Sequence, residues 1–194
     1  MKKIIYAMTI STMVSTMVLI ATSCGKKSET DNKEIAQDQN DEKLEDTDIK
    51  KDADFAVAAA DGGRLEVQLG QLALKNASSE EVKKFGQSMI DDHSKANEEL
   101  RMLAEQKNIT LPVALSDKNQ KDYEDLARKS GLEFDKAYSE FMVKDHKEDI
   151  GEFKKEAENG NDPEIKAWAA GKVTTLEHHL MMAEAANNSV KDKK

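Results

Sequence analysis

Cysteine is almost missing from this chain: there is one, Cys24, in 194 residues. A single thiol excludes an internal disulfide framework. Proline occurs only twice, and aromatic side chains make up 5% of the sequence. With charged residues at 35%, such a composition suits long, solvated helices better than a sheet. Positive charge is in deficit, with 29 basic against 38 acidic side chains and a formal net charge of −9. An acidic surface repels phosphate, which argues against nucleic acid as a partner. There is no Cys-x-x-Cys-His for covalent haem and no Gly-rich phosphate loop after a strand. The serines fall mainly in the N-terminal segments and at helix starts, with no base patterned beside them.

What is there begins with an address. Lys2 and Lys3 precede a mostly apolar run from Ile4 to Ile20, too short and too diluted with Thr and Ser for a comfortable transmembrane helix. Ala21-Thr22-Ser23-Cys24 follows, and small residues before a cysteine at the end of such a run resemble the bacterial lipoprotein signal. Residues 1–23 are therefore expected to be a cleaved signal peptide and Cys24 to be acylated, which would hold the protein on a membrane. The expected address is the bacterial cell envelope, lipid-anchored at the outer membrane and facing the periplasm. Residues 24–50 carry the lipidated cysteine and an acidic stretch with few apolar side chains, expected to be a disordered tether.

From residue 51 to 190 the apolar period is helical. One helix is expected from about Asp52 to Asn76. A second starts at Ser78-Ser79-Glu80-Glu81, with serine at the N-cap and acids in the first turn, and runs to about Lys107. After a loop containing Pro112, Ser116-Asp117 begins a short helix that Ser130-Gly131 ends. A third long helix runs from about Leu132 to Glu158. Asp162-Pro163 starts the last, which continues to about Asn187, ahead of a fraying tail that takes in residues 191–194. No such amphipathic helix buries its stripe alone, so the stripes should meet in one seam. Two tight hairpins joined by one long crossover make an all-α, ferritin-like four-helix bundle, with a short extra helix in the crossover. An up-down-up-down bundle is the alternative. Met89-Ile90-Asp91-Asp92-His93 and Met142-Val143-Lys144-Asp145-His146 echo one another, which would suit a duplicated hairpin.

Four polar residues fall on or beside the apolar stripes, one per long helix: Glu66, His93, His146 and His179. Carboxylate and neutral imidazole suit a divalent or transition-metal ion. Asp92 and Asp145, each next to a histidine, are candidate supports, because adjacent side chains point about 100° apart on a helix and hardly share one ion. The Glu-x-x-His spacing of di-iron bundles is missing, since Ile90, Val143, Thr175 and Leu176 stand three before the histidines. The competing reading makes these residues a hydrogen-bonded polar network that sets helix register. Met89, Met142, Met181 and Met182 offer thioethers for copper, but methionine at helical spacing is usually core filler.

Asp54-Phe55 through Gly62-Gly63, Glu66-Val67 and Leu69-Gly70 resembles the opening of the bacterial domain of unknown function 4142 family. Val82-Lys83-Lys84-Phe85 through Asn97, Leu111-Pro112, Phe134 to His146, and Asp162 to Leu180 are similar to its later segments, in the same order. The resemblance covers about residues 53–186. It implies a ferritin-like helical bundle, commonly exported, without an established activity or cofactor, and its matching positions include Glu66, His93, His146 and His179. The functional expectation is a non-catalytic binding or structural module with an unidentified protein or small-molecule partner. The alternative is a metal-binding or redox bundle built on those four side chains.

Overall fold

The computed structural model describes residues 31–194. The signal peptide and Cys24 lie outside the described residues. Those described form six helices in chain order: α1 (Asn32–Leu44), α2 (Lys50–Asn76), α3 (Glu80–Gln106), α4 (Asp117–Ala127), α5 (Gly131–Asn159) and α6 (Pro163–Val190). None of them is long and apolar enough to cross a membrane.

α1 corrects the expectation of a disordered tether. The Asp31 carboxylate caps it, accepting from the backbone N–H of Lys33 at 2.7 Å and of Glu34 at 3.3 Å. Ala36, Asn40 and Leu44, four residues apart, form its buried face. The middle one is polar and fully paired: its Nδ2 donates to the Thr110 carbonyl at 2.8 Å and its Oδ1 accepts from the Thr110 N–H at 2.6 Å. So narrow a stripe, with an asparagine in it, has the composition of a tether. Tertiary pairing with the 108–116 loop makes it a helix.

α2 and α3 turn back on one another, as do α5 and α6. α2 lies against α5 and α3 against α6, while α1 and α4 pack on α2. The α2–α3 approach is close: a Cβ on Gly70 would stand 2.5 Å from the Gly86 carbonyl oxygen. α3 ends with Asn108 in the left-handed region (φ 58°), which lets the Ile109 N–H reach the Ala104 carbonyl at 2.8 Å. α6 continues through Val190, which is fully buried, past the end expected near Asn187.

Buried aspartates hold the turns. Asp135 of α5 accepts from the N–H groups of Ser78 and Ser79, each at 3.0 Å, and from the Ser78 hydroxyl at 2.5 Å. The Ser79 side chain makes no capping bond, so the cap expected from the serine comes from another helix. Reciprocally, Asp52 of α2 accepts from the N–H groups of Asn161 at 2.8 Å and Asp162 at 3.0 Å, in the α5–α6 turn.

The apolar stripes meet in two clusters, not one seam. Leu65, Leu69, Phe85, Met89, Phe134, Tyr138, Met142 and Ala183 belong to the first. Ala56, Ala60, Leu100 and Ile165 belong to the second, with Phe55 and Trp168 packed against it. The Met89–His93 and Met142–His146 segments lie on α3 and α5, the second helix of one hairpin and the first of the other. They are not equivalent positions of a duplicated hairpin.

Candidate metal centre

The residues that interrupt the two clusters are the polar ones. On α3, His93 follows Met89 of the first cluster and precedes Leu100 of the second. On α6, His179 lies between Ile165 and Ala183. Glu66 follows Ala60 on α2, and His146 stands one turn past Met142 on α5. All four are buried, with Glu66 1% exposed, His93 7%, and His146 and His179 wholly enclosed. The structure therefore brings the four sequence candidates to one height in the molecule.

The ring centroids of His93, His146 and His179 form a triangle with sides of 5.2, 5.5 and 5.9 Å. Each ring has one nitrogen engaged by a protein oxygen. Nδ1 of His146 lies 3.1 Å from the Met142 carbonyl oxygen. A carbonyl only accepts, so this nitrogen carries the proton and Nε2 holds the lone pair. Nδ1 of His93 lies 2.7 Å from Glu66 Oε2, and Nε2 of His179 donates to Asp92 Oδ2 at 2.8 Å. The three remaining nitrogens, His93 Nε2, His146 Nε2 and His179 Nδ1, are buried without a hydrogen-bond partner, as is Glu66 Oε1, which stands 3.5 Å from His146 Nε2. The three histidines each offer a ligand atom within 4.8 Å of the others.

Burial sets the protonation. It lowers His93 to about 4, and the charges of Asp145 and Asp92 only partly oppose it. His146 falls to about 3 through burial and then through repulsion from His93 and His179. His179 falls to about 4 through burial, against the pull of its Asp92 hydrogen bond. All three are neutral donors at neutral pH. Burial likewise pushes the Glu66 carboxyl well above the usual carboxylate range. It does the same to Asp145 and Asp149, each raised further by Glu66.

The two supporting aspartates part company. Asp92 is half-exposed and reaches His179 on the neighbouring helix rather than its own neighbour His93. Asp145 offers a carboxylate oxygen within 4.8 Å of ligand atoms of both Glu66 and His146. Although adjacent on α5, Asp145 and His146 each offer an atom within reach of Glu66 on α2. Asp149 escaped the sequence reading, although its place three residues after His146 puts it on the same helix face. So did Tyr138, two turns before His146, whose buried hydroxyl has no partner. Met181 is largely exposed, which removes it from the thioether set, and His178 is exposed on the outer face.

A family model described as a domain of unknown function, DUF4142, matches residues 34–186. The chain belongs to the DUF4142 family. The match spans α2 to α5 entirely, nearly all of α1, and α6 as far as Ala186, so the four clustered side chains all lie inside the DUF4142 unit. No curated protein and no solved structure matches the chain.

Proposed function

We propose that this DUF4142 protein is an envelope lipoprotein whose helical domain holds one divalent transition-metal ion on His93, His146 and His179. Glu66, Asp92 and the Met142 carbonyl fix the orientation of the three rings. The carrying observation is the pairing pattern: each imidazole has one nitrogen held by a protein oxygen and the other buried, bare and turned loose. Metal-ligating histidines are oriented in this way by a carboxylate or carbonyl on the far nitrogen. A tetrahedral ion about 2.1 Å from each nitrogen would set the ring centroids about 5.3 Å apart, in line with the sides of the triangle. A hydrogen-bonded register network fits less well, because buried polar atoms in such networks find partners, whereas His93 Nε2 and His179 Nδ1 have none and Glu66 Oε1 stops 3.5 Å short of His146 Nε2.

The pairing of α2 with α5 and of α3 with α6 supports ferritin-like connectivity, since an up-down-up-down bundle would set α3 against α5. In this reading the protein is a binding module whose ligand is the ion, carried at a membrane surface by acylated Cys24.

The test is elemental analysis of the purified chain together with thermal melting at rising zinc concentration. About one ion per chain is expected, with stability rising by about 2.7 kcal/mol when free metal reaches a hundred times its Kd. His93→Ala and His146→Ala should each abolish the metal dependence of melting. Absence of a bound ion, with a melting temperature indifferent to zinc, iron, manganese and copper, would return these residues to the register network.

A further inference from the structure

We propose that the cluster holds a second, oxygen-rich cation position, built from Glu66 Oε1, a carboxylate oxygen of Asp145 and Nε2 of His146, and that a hard divalent ion such as manganese(II) takes it in place of the ion on the three histidines. The inference rests on reading the cluster as a metal centre, and it adds to that reading a second place and a second class of metal. The first observation is one distance. Glu66 Oε1 and His146 Nε2 stand 3.5 Å apart, and neither has a hydrogen-bond partner. Glu66 is 1% exposed and His146 wholly enclosed. His146 keeps its proton on Nδ1, against the Met142 carbonyl, so Nε2 has a lone pair and no hydrogen to offer that oxygen. An ion about 2.1 Å from each atom would see them at an angle of about 110°, which is ordinary between two ligands of one metal.

The second observation is the third donor. Glu66, Asp145 and His146 each offer a ligand atom, all within 4.8 Å of one another. Glu66 keeps its other oxygen, Oε2, 2.7 Å from Nδ1 of His93, so Oε1 can take an ion without releasing that ring. The charges of Glu66 and Asp149 both act on Asp145, and that of Glu66 acts on Asp149. Lys118 of α4 opposes them at Asp145, but its amine is bonded to Asp122 at 2.8 Å. A divalent cation between Glu66 and Asp145 would supply the positive charge that buried carboxylates need.

The two positions are alternatives. With Nδ1 of His146 committed to the Met142 carbonyl, the one lone pair on Nε2 completes either set but not both. Ligand type then divides the metals. Three neutral imidazoles suit zinc, cobalt or copper, whereas two carboxylates and one imidazole suit a harder ion such as manganese(II). The two carboxylates also cancel both charges of that ion, which three imidazoles leave uncompensated.

The experiment uses the purified chain with manganese(II) and cobalt(II) as probes. Loss of the free-ion signal in electron paramagnetic resonance counts bound manganese, and visible absorption reports cobalt on the histidines. Each metal alone should bind at about one ion per chain, and cobalt should release manganese as it binds. Asp145→Asn, close in shape to the native residue, should weaken manganese about tenfold or more and leave cobalt within about twofold. His179→Asn should do the reverse, with circular dichroism showing that both variants remain helical. Manganese and cobalt bound together in one chain would overturn the sharing of His146. Equal weakening of both metals by Asp145→Asn would overturn the separate position. A chain that binds cobalt and refuses manganese would overturn the oxygen-rich site and leave the three-histidine reading standing. A chain that binds manganese and refuses cobalt would strike the three-histidine reading alone.

Discussion

At the scale of single residues, the molecule places its buried carboxylates by need. Asp135 is fully buried yet accepts three hydrogen bonds from the start of α3. Asp135→Ala should therefore lower stability by about 1–3 kcal/mol in urea unfolding, since two N–H groups and a hydroxyl at the half-buried turn lose their acceptor at once. A loss below half a kcal/mol would mean that water replaces the carboxylate freely. Glu156 is the opposite case. Burial, a hydrogen bond to Asp52 and the charge of Asp52 push its carboxyl up to about 8. A Cβ on Gly160 would lie 2.3 Å from Glu156 Oε1, so a larger residue there would displace the end of that side chain. A raised acid binds its proton more tightly folded than unfolded, so its stabilisation is whole below about 4.5 and is lost as pH rises towards about 8. Glu156→Gln should flatten that loss and leave the variant the more stable at pH 8 by thermal melting. The rings of His93, His146 and His179 titrate with the opposite sign: folded values near 4 or below, against 6.5 in the unfolded chain, withdraw stability as pH falls below about 6.5.

At the scale of helices, the α2–α3 contact depends on the absence of side chains. Gly70 meets the Gly86 backbone, and a Cβ on Gly86 would stand 2.6 Å from that of Ala73. Backbone does not yield as a flexible side chain would, so Gly70→Ala should cost about 1–3 kcal/mol by overpacking, despite the better helix propensity of alanine. It should also loosen the Glu66 and histidine cluster, because Glu66 and His93 lie one turn and two turns from the forced contact. Equal or higher stability in chemical denaturation would show that the hairpin can separate without loss. The long helices were legible because amphipathic stripes of apolar residues recur along them; Asp162-Pro163 marks the start of α6 and Ser116 that of the short α4, and the Asp162 and Ser116 side chains cap as expected. α1 was not legible, because three buried positions among thirteen leave no periodic signal above its charges.

At the scale of the whole molecule, α1 is an accessory clamp. It holds the 108–116 loop through Asn40 and Thr110 and through Asn32, whose Nδ2 donates to the Leu115 carbonyl at 3.2 Å. It contributes none of the four clustered side chains. A chain starting at Ile49 should keep its metal stoichiometry while melting several degrees lower. Loss of the ion on truncation would give α1 a part in the site that its contacts do not indicate.

The sequence by itself determined the helical class, most helix boundaries, and which histidines and which glutamate interrupt the apolar stripes. These follow from local periodicity and from the cost of burying a polar group, both readable in one dimension. Tertiary structure alone decided that those groups share one height, that the core is divided around them, and that an asparagine-bearing acidic stretch is a docked helix. It also decided that Asp92 serves a histidine on another helix while Asp145 faces Glu66. Periodicity gives the direction of a side chain around its own axis. The relative height and rotation of two helices come from backbone approach at Gly70 and Gly86 and from buried aspartates that bind the opposite hairpin's turn, contacts between residues dozens of positions apart.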